Sequence, residues 1–203
     1  MTEKPARRRR DPEARIEEIT SATERVIAVH GVEGLTHRAV AEEASIPLGA
    51  TTYHFATKDD LIFTALRRSV ERFADYLDDW TARHPDLTID QLIMALTDAL
   101  HASLDGGHDQ QVLESELYLA ALRRPRLRPL ADRYIALSHD TIARYTDPVT
   151  ATAAAAAISG LSLRATARSQ PTTRAEIEDI LRRILTPNPL LQSDDRDTER
   201  RTQ

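Results

Sequence analysis

The chain contains no cysteine, so it can form neither a disulfide nor a thiolate-bound metal centre. Glycine is sparse, with 6 in 203 residues, and β-branched runs are short, while alanine and leucine are common. That balance predicts an all-helical fold. No apolar run approaches the roughly 20 residues needed to span a bilayer, so no membrane partner is expected. The N-terminus, MTEKPARRRRD, is basic but has no apolar segment behind it, which excludes a secretory signal. A soluble cytoplasmic protein is therefore expected. Positive charge is also short. The net charge of −5 argues against a protein that is basic all over. Lys4 and Lys58 are the only lysines, and arginine supplies the other basic charge.

What is present is unevenly placed. Lys4 and the run Arg7, Arg8, Arg9 and Arg10 form a basic block, and residues 1–10 lack the apolar content to fold alone, so a disordered basic arm is expected there. Asp11 then reads as an N-cap with Pro12 at the first helical position. Ile16, Ile19, Thr23, Val26, Ile27 and His30 follow at helical spacing up to Gly31 and Gly34, giving a first helix. Thr36 caps a second helix with Val40, Ala41 and Ala44 on its inner face, Ser45 and Ile46 make a turn, and Pro47 opens a short third helix reaching about His54. Thr57 with Asp60 forms a capping box for a long fourth helix. Its stripe runs through Leu61, Ile62, Ala65, Leu66, Val70, Phe73, Leu77 and Trp80 to near His84.

Five more helices are expected. Thr88 with Gln91 opens the fifth, broken by Gly106 and Gly107. The sixth covers about Gln111 to Arg123 and is apolar on more than one face. The seventh carries Leu127, Leu130, Tyr134, Ile135, Leu137 and Ile142. Asp147 and Pro148 introduce an alanine-rich eighth, about 149–168, and Thr173 with Glu176 caps a ninth, stopped by Pro187 and Pro189. The spacing predicts four segments: a basic arm at 1–10, a helix-turn-helix domain at 11–57, a larger helical domain at 58–187, and a polar, disordered tail at 188–203.

The segment from Leu35 to Leu61, LTHRAVAEEASIPLGATTYHFATKDDL, is the part that points to function. Helix, tight turn and short helix is the arrangement that places its second helix in the DNA major groove. Thr36, Arg38, Val40, Ala41 and Ala44, then Leu48 and Gly49, Tyr53, His54 and Phe55, and Thr57, Lys58 and Leu61 resemble the TetR family of bacterial transcriptional regulators, with the spacing intact. This chain has Ser45 where the family usually has glycine, and Thr52 where it commonly has an aromatic residue.

The residues themselves suit DNA. Leu48, Ala50, Thr51 and Thr52 are small or apolar enough to lie against a groove floor, and a threonine can hydrogen-bond a base edge or touch a thymine methyl. Gly49 permits close backbone approach. Thr36 can offer a hydroxyl and helix N-terminal N–H groups to a phosphate. Arg38, Tyr53, His54 and Lys58 are expected phosphate contacts, and Arg7–Arg10 an arm for the minor groove or adjacent phosphates.

The resemblance implies more: a double-stranded operator, an unknown small-molecule effector, and a homodimer formed through the last two helices. Ala154, Ile158, Leu161 and Ala165 on the eighth helix, with Ile177, Leu181 and Ile184 on the ninth, are the expected dimer interface. Phe73, Trp80, Met94, Tyr118, Tyr134 and His139 lie on helices that usually surround the family's cavity. Glu114 and Glu116 interrupt the apolar sixth helix; one could meet a cationic ligand, and a solvated face accounts for at least one of them. The function expected is a ligand-responsive repressor at a near-palindromic operator. An effector-independent regulator or activator of the same fold is the alternative.

A metal-dependent helical-bundle enzyme is a remote alternative, resting on Asp98 and His101, three apart on a helix, with Asp105 and His108 following. No HExxH, P-loop, GxGxxG or Ser/His/Asp arrangement accompanies them. No enzyme activity, catalytic residue, metal or cofactor is expected.

Overall fold

The computed structural model describes residues 12–106, 108–167, 170 and 172–186, and every regular element among them is helical. The order is α1 Pro12–Gly34, α2 His37–Glu43, α3 Leu48–His54, α4 Lys58–Arg83, α5 Ile89–Gly106, α6 His108–Arg123, a 3-10 turn at Pro125–Leu127, α7 Arg128–Ile142, α8 Pro148–Ala167 and α9 Arg174–Leu185. No described helix is long and apolar enough to cross a membrane. The all-helical expectation is met. The chain forms two compact units. One holds the residues up to Arg72 together with Val112–Ala131, and the other holds Phe73–Gln111 and the residues from Asp132 onward.

In the first unit, α1 buries Ile19, Ala22, Val26 and Ile27, and α4 buries Leu61, Ile62, Ala65, Leu66 and Val70. Each valine, leucine or isoleucine among them contributes about 1.5–3 kcal/mol when withdrawn from water, before the entropy of ordering is counted. Two arginines tie α4 to α1. Arg68 reaches the Glu17 carboxylate at 2.6 Å and the Ser21 hydroxyl at 2.8 Å. Arg72 takes both Glu24 oxygens, at 2.6 and 2.9 Å.

Gly31 breaks α1, with φ 68° and ψ 170°, and one further helical turn resumes up to Gly34. Only glycine adopts that backbone at little cost. The Val32 amide that follows donates to the Glu116 carboxylate of α6 at 2.9 Å. A helix remote in sequence thus holds the end of α1.

In the second unit, α9 packs against α5 and α8. Leu92, Ile93, Leu96 and Leu100 meet Ala151, Ala154 and Leu161, and Ile177, Leu181 and Leu185, with Trp80 and Ile142 in the same core. Local signals set the helix starts. Thr88 and Gln91 cap α5 reciprocally, the Asp147 carboxylate accepts from the Val149 and Thr150 amides, and the Thr173 hydroxyl accepts from Glu176 N–H. On the surface, Arg174 pairs with Asp98 at 2.8 Å and Arg182 with Asp90 at 2.7 Å, linking α9 to α5. Exposed pairs of this kind contribute little each.

Candidate nucleic-acid interface

Helix α2 begins where Thr36 turns the chain, its hydroxyl accepting from Ala39 N–H at 3.1 Å. Val40 and Ala41 are buried and fix which face points inward. The helix ends in a left-handed turn at Ser45, φ 53°. Ser45 N–H donates to Glu42 C=O at 3.1 Å and Ile46 N–H to Ala41 C=O at 2.9 Å, the double closure of a Schellman C-cap. Serine accepts a conformation that costs an L-residue about 1–2 kcal/mol because those two bonds and the burial of Ile46 favour it.

Helix α3 follows from Pro47 and carries Leu48, Gly49, Thr52 and Tyr53 on its open side. Tyr53 is 84% exposed and Leu48 44%, so both are open to a partner. Tyr53 meets the His54 ring edge-on, at 5.0 Å between centroids. A Cβ added at Gly49 would meet nothing within 4 Å, so neither packing nor a positive φ requires glycine there. Phe55 is buried and anchors the far end of α3. Arg38, Glu42, Ser45, Pro47 and Leu48 line an open groove between α2 and α3.

Of the expected contact residues, Thr36, Arg38, Leu48, Gly49, Thr52 and Tyr53 lie open to solvent. Thr51 does not. It is fully buried, and its hydroxyl donates to Leu48 C=O at 2.8 Å, so it cannot reach a base edge; its role is to seat α3 on the core. Ala50 is half-buried. Lys58 donates to the Glu33 carbonyl oxygen at 2.9 Å, which leaves two of its three ammonium hydrogens for a phosphate. Arg7–Arg10 lie outside the described residues.

Beside Lys58 is a charged cluster that sequence patterns did not reveal. Arg124 reaches Asp59 at 3.2 Å and Glu33 at 3.2 Å. Arg126 pairs with Asp60 at 2.9 Å and lies 4.3 Å over the Phe63 ring. Asp60 also closes the α4 capping box with Thr57. The Arg126 guanidinium, then Thr57, hold its carboxyl below the ordinary value of 3.8.

The expected pocket residues divide. Phe73 stacks on Tyr134 at 4.4 Å and lies parallel to Tyr76 at 6.4 Å, a residue the sequence had not singled out. Trp80 is in the core beside His84. Met94 is 51% exposed, and His139 hydrogen-bonds Asp140 at 2.8 Å. Tyr118 falls in the other compact unit, its hydroxyl donating to Glu114 at 3.4 Å. Glu116 accepts from the Val32 amide.

Of the expected dimer residues, Ala154, Leu161, Ile177 and Leu181 are at most 3% exposed and belong to the chain's own core. A partner could touch only Ile158, Ala165 and Ile184, which are half-buried. In the metal-like set, Asp98 is taken by Arg174 and His101 by Asp105, while the His108 side chain lies outside the described residues.

A helix-turn-helix with an exposed short second helix, mounted on a long helix, defines a DNA-binding regulator. Residues 19–65 match the family described as "Bacterial regulatory proteins, tetR family", and residues 87–187 match "Tetracyclin repressor-like, C-terminal domain". The multidrug binding protein EbrR in complex with ethidium is 42% identical with a TM-score of 0.71, covering 86% of this chain and 99% of EbrR. A TetR family member from Streptomyces coelicolor A3, SCO1917, is 40% identical with a TM-score of 0.71 over 84% of this chain and 97% of its own. The transcriptional regulator PksA of Bacillus subtilis is 38% identical over 73 residues, 36% of each chain, so this chain spans about a third of PksA's length. The chain belongs to the TetR family, whose members are DNA-binding transcriptional regulators and not enzymes.

Proposed function

We propose that this regulator is a ligand-responsive repressor that acts in the cytoplasm and binds a near-palindromic operator as a homodimer. The observation that carries the ligand response is the likeness to EbrR, a multidrug binding protein solved with ethidium, proflavin and malachite green. Those are aromatic cations, and half-buried Phe73 and exposed Tyr76, stacked beside buried Tyr134, offer the π faces such cations favour. The exposed face of α3 with Arg38, Thr36 and Lys58 supports the operator contact. The half-buried apolar residues of α8 and α9 support a two-fold pairing, which would set two recognition helices about 34–36 Å apart. An effector favouring a state with a different spacing lowers operator affinity by linkage.

The test has three parts. Light scattering reads the mass, and one chain per particle at micromolar concentration sinks the homodimer. Ethidium and proflavin intercalate into DNA, so ligand binding is measured on the protein alone as a rise in melting temperature. Malachite green is then added to the protein on a duplex that it has itself selected from a random library. Binding with no effect on the duplex complex, or no binding by any of the three dyes, favours the effector-independent regulator.

A further inference from the structure

The last turn of α1, which leads into α2, is gripped from outside the helix-turn-helix at two successive residues. Glu116 Oε2 accepts the Val32 N–H at 2.9 Å, and its Oε1 lies 3.0 Å from where a Gly31 Cβ would stand. The carboxylate therefore packs flush on the break in α1. At the next residue, Arg124 holds the Glu33 carboxylate while Lys58 holds the Glu33 carbonyl. Val32 and Leu35 are at most 1% exposed, and Glu116 supplies the acceptor for the Val32 amide. Four residues further on, Thr36 caps α2. The direction in which the chain leaves Val32 decides where α2, and through the Ser45 turn α3, can point.

We propose that Glu116 is a positioning residue for DNA binding, its carboxylate fixing the Val32 amide at the break in α1 and so aiming α2 and α3 at the groove. It touches no DNA itself. Its place is 84 residues from Val32, outside the DNA-binding motif. Without it the segment samples other directions, and apparent operator affinity falls with the fraction still correctly aimed. A glutamine keeps the geometry, since its side-chain oxygen accepts the same N–H. The proposal rests on the family's DNA-binding activity.

The experiment uses the full chain and a duplex selected by the wild-type protein from a random library. Glu116→Ala is expected to weaken binding about tenfold at a temperature where it is fully folded, while Glu116→Gln stays within about twofold of wild type. Hydrogen exchange at the Val32 amide is expected to accelerate in Glu116→Ala and not in Glu116→Gln. Leu92→Ala, a core truncation in the other unit, controls for lost stability: it lowers the melting temperature and leaves affinity unchanged. Wild-type affinity in Glu116→Ala, no rescue by glutamine, or an equal affinity loss in Leu92→Ala would each overturn the proposal. If the wild-type protein selects no duplex, the DNA-binding reading fails and the proposal falls with it.

Discussion

Gly31→Ala tests the break in α1 by stability alone. At φ 68° and ψ 170° the backbone lies in a region open essentially to glycine, and an alanine there costs about 1–3 kcal/mol. The new Cβ would also stand 3.0 Å from Glu116 Oε1, with Cδ at 3.5 Å and Oε2 at 3.6 Å. The carboxylate is the end of a flexible side chain and can withdraw. Withdrawal breaks its bond to the Val32 amide, and leaving that buried donor unpaired costs about 1–3 kcal/mol. Alanine restricts the unfolded chain, which returns about 0.4–1 kcal/mol. The net expectation is a loss of about 3 kcal/mol. Urea unfolding by linear extrapolation measures it. Because Glu116→Ala removes the same bond, the double variant should lose about 1–2 kcal/mol less than the two single losses together. A Gly31→Ala loss below about 1 kcal/mol, or strict additivity, would refute the account.

Gly49→Ala should separate folding from binding: its Cβ enters open space and should stabilise the helix by up to about 1 kcal/mol, yet weaken the selected duplex by blocking close approach, and unchanged affinity would remove Gly49 from the interface. Ser45→Gly should relieve the left-handed strain, net of a more flexible unfolded chain, and raise stability by roughly 0.5–1 kcal/mol, whereas a drop on urea unfolding would mean that the serine is doing something beyond the turn. Ile158→Glu with Ile184→Glu should convert a dimer to monomers in light scattering while the helical circular dichroism holds; persistence of the dimer would place the interface elsewhere. Asp60 and Asp147 are both held below 3.8, by Arg126 and by Thr150 first. The stability they lend is present above their ordinary value and is lost as pH falls through the lowered ones. Melting temperatures should therefore drop below about pH 4, less steeply in Asp60→Asn with Asp147→Asn, and an identical acid limb in that variant would count against these two groups.

The parts of the fold that were legible in the sequence are those set by neighbours. Thr57 with Asp60 and Thr88 with Gln91 cap their helices as the spacing predicts, because a capping box involves only residues three apart. Ser45 was marked as a departure where glycine is usual, and it carries the positive φ. Thr51 is not legible as a core residue because α3 has seven residues, under two turns, too short for a period to show which threonine points inward. The stripe on α9 was visible, but not its partner. Ile177 and Leu181 are used by the chain's own core with α5 and α8, and an apolar stripe looks the same whether it meets its own chain or another. Glu116 stands out in the sequence as a charge on an apolar helix, but nothing in its own segment shows that it meets the Val32 amide.

The last case explains why the site could be found and not fully understood from its own segment. Helices α2 and α3 have seven residues each, well below the roughly 12–15 at which a helix holds itself in water. Their conformation is borrowed from what surrounds them: the buried Val40, Ile46, Thr51 and Phe55, and the ends of α1 and α4. The end of α1 is in turn held by Glu116 and Arg124, and the start of α4 by Arg126 through Asp60. The residues that α3 would present to DNA are contiguous because one short helix carries them. The residues that aim that helix are spread over more than eighty positions because stiffness must come from elsewhere. A mutation on α6 can therefore alter operator affinity without changing a single atom that meets the operator.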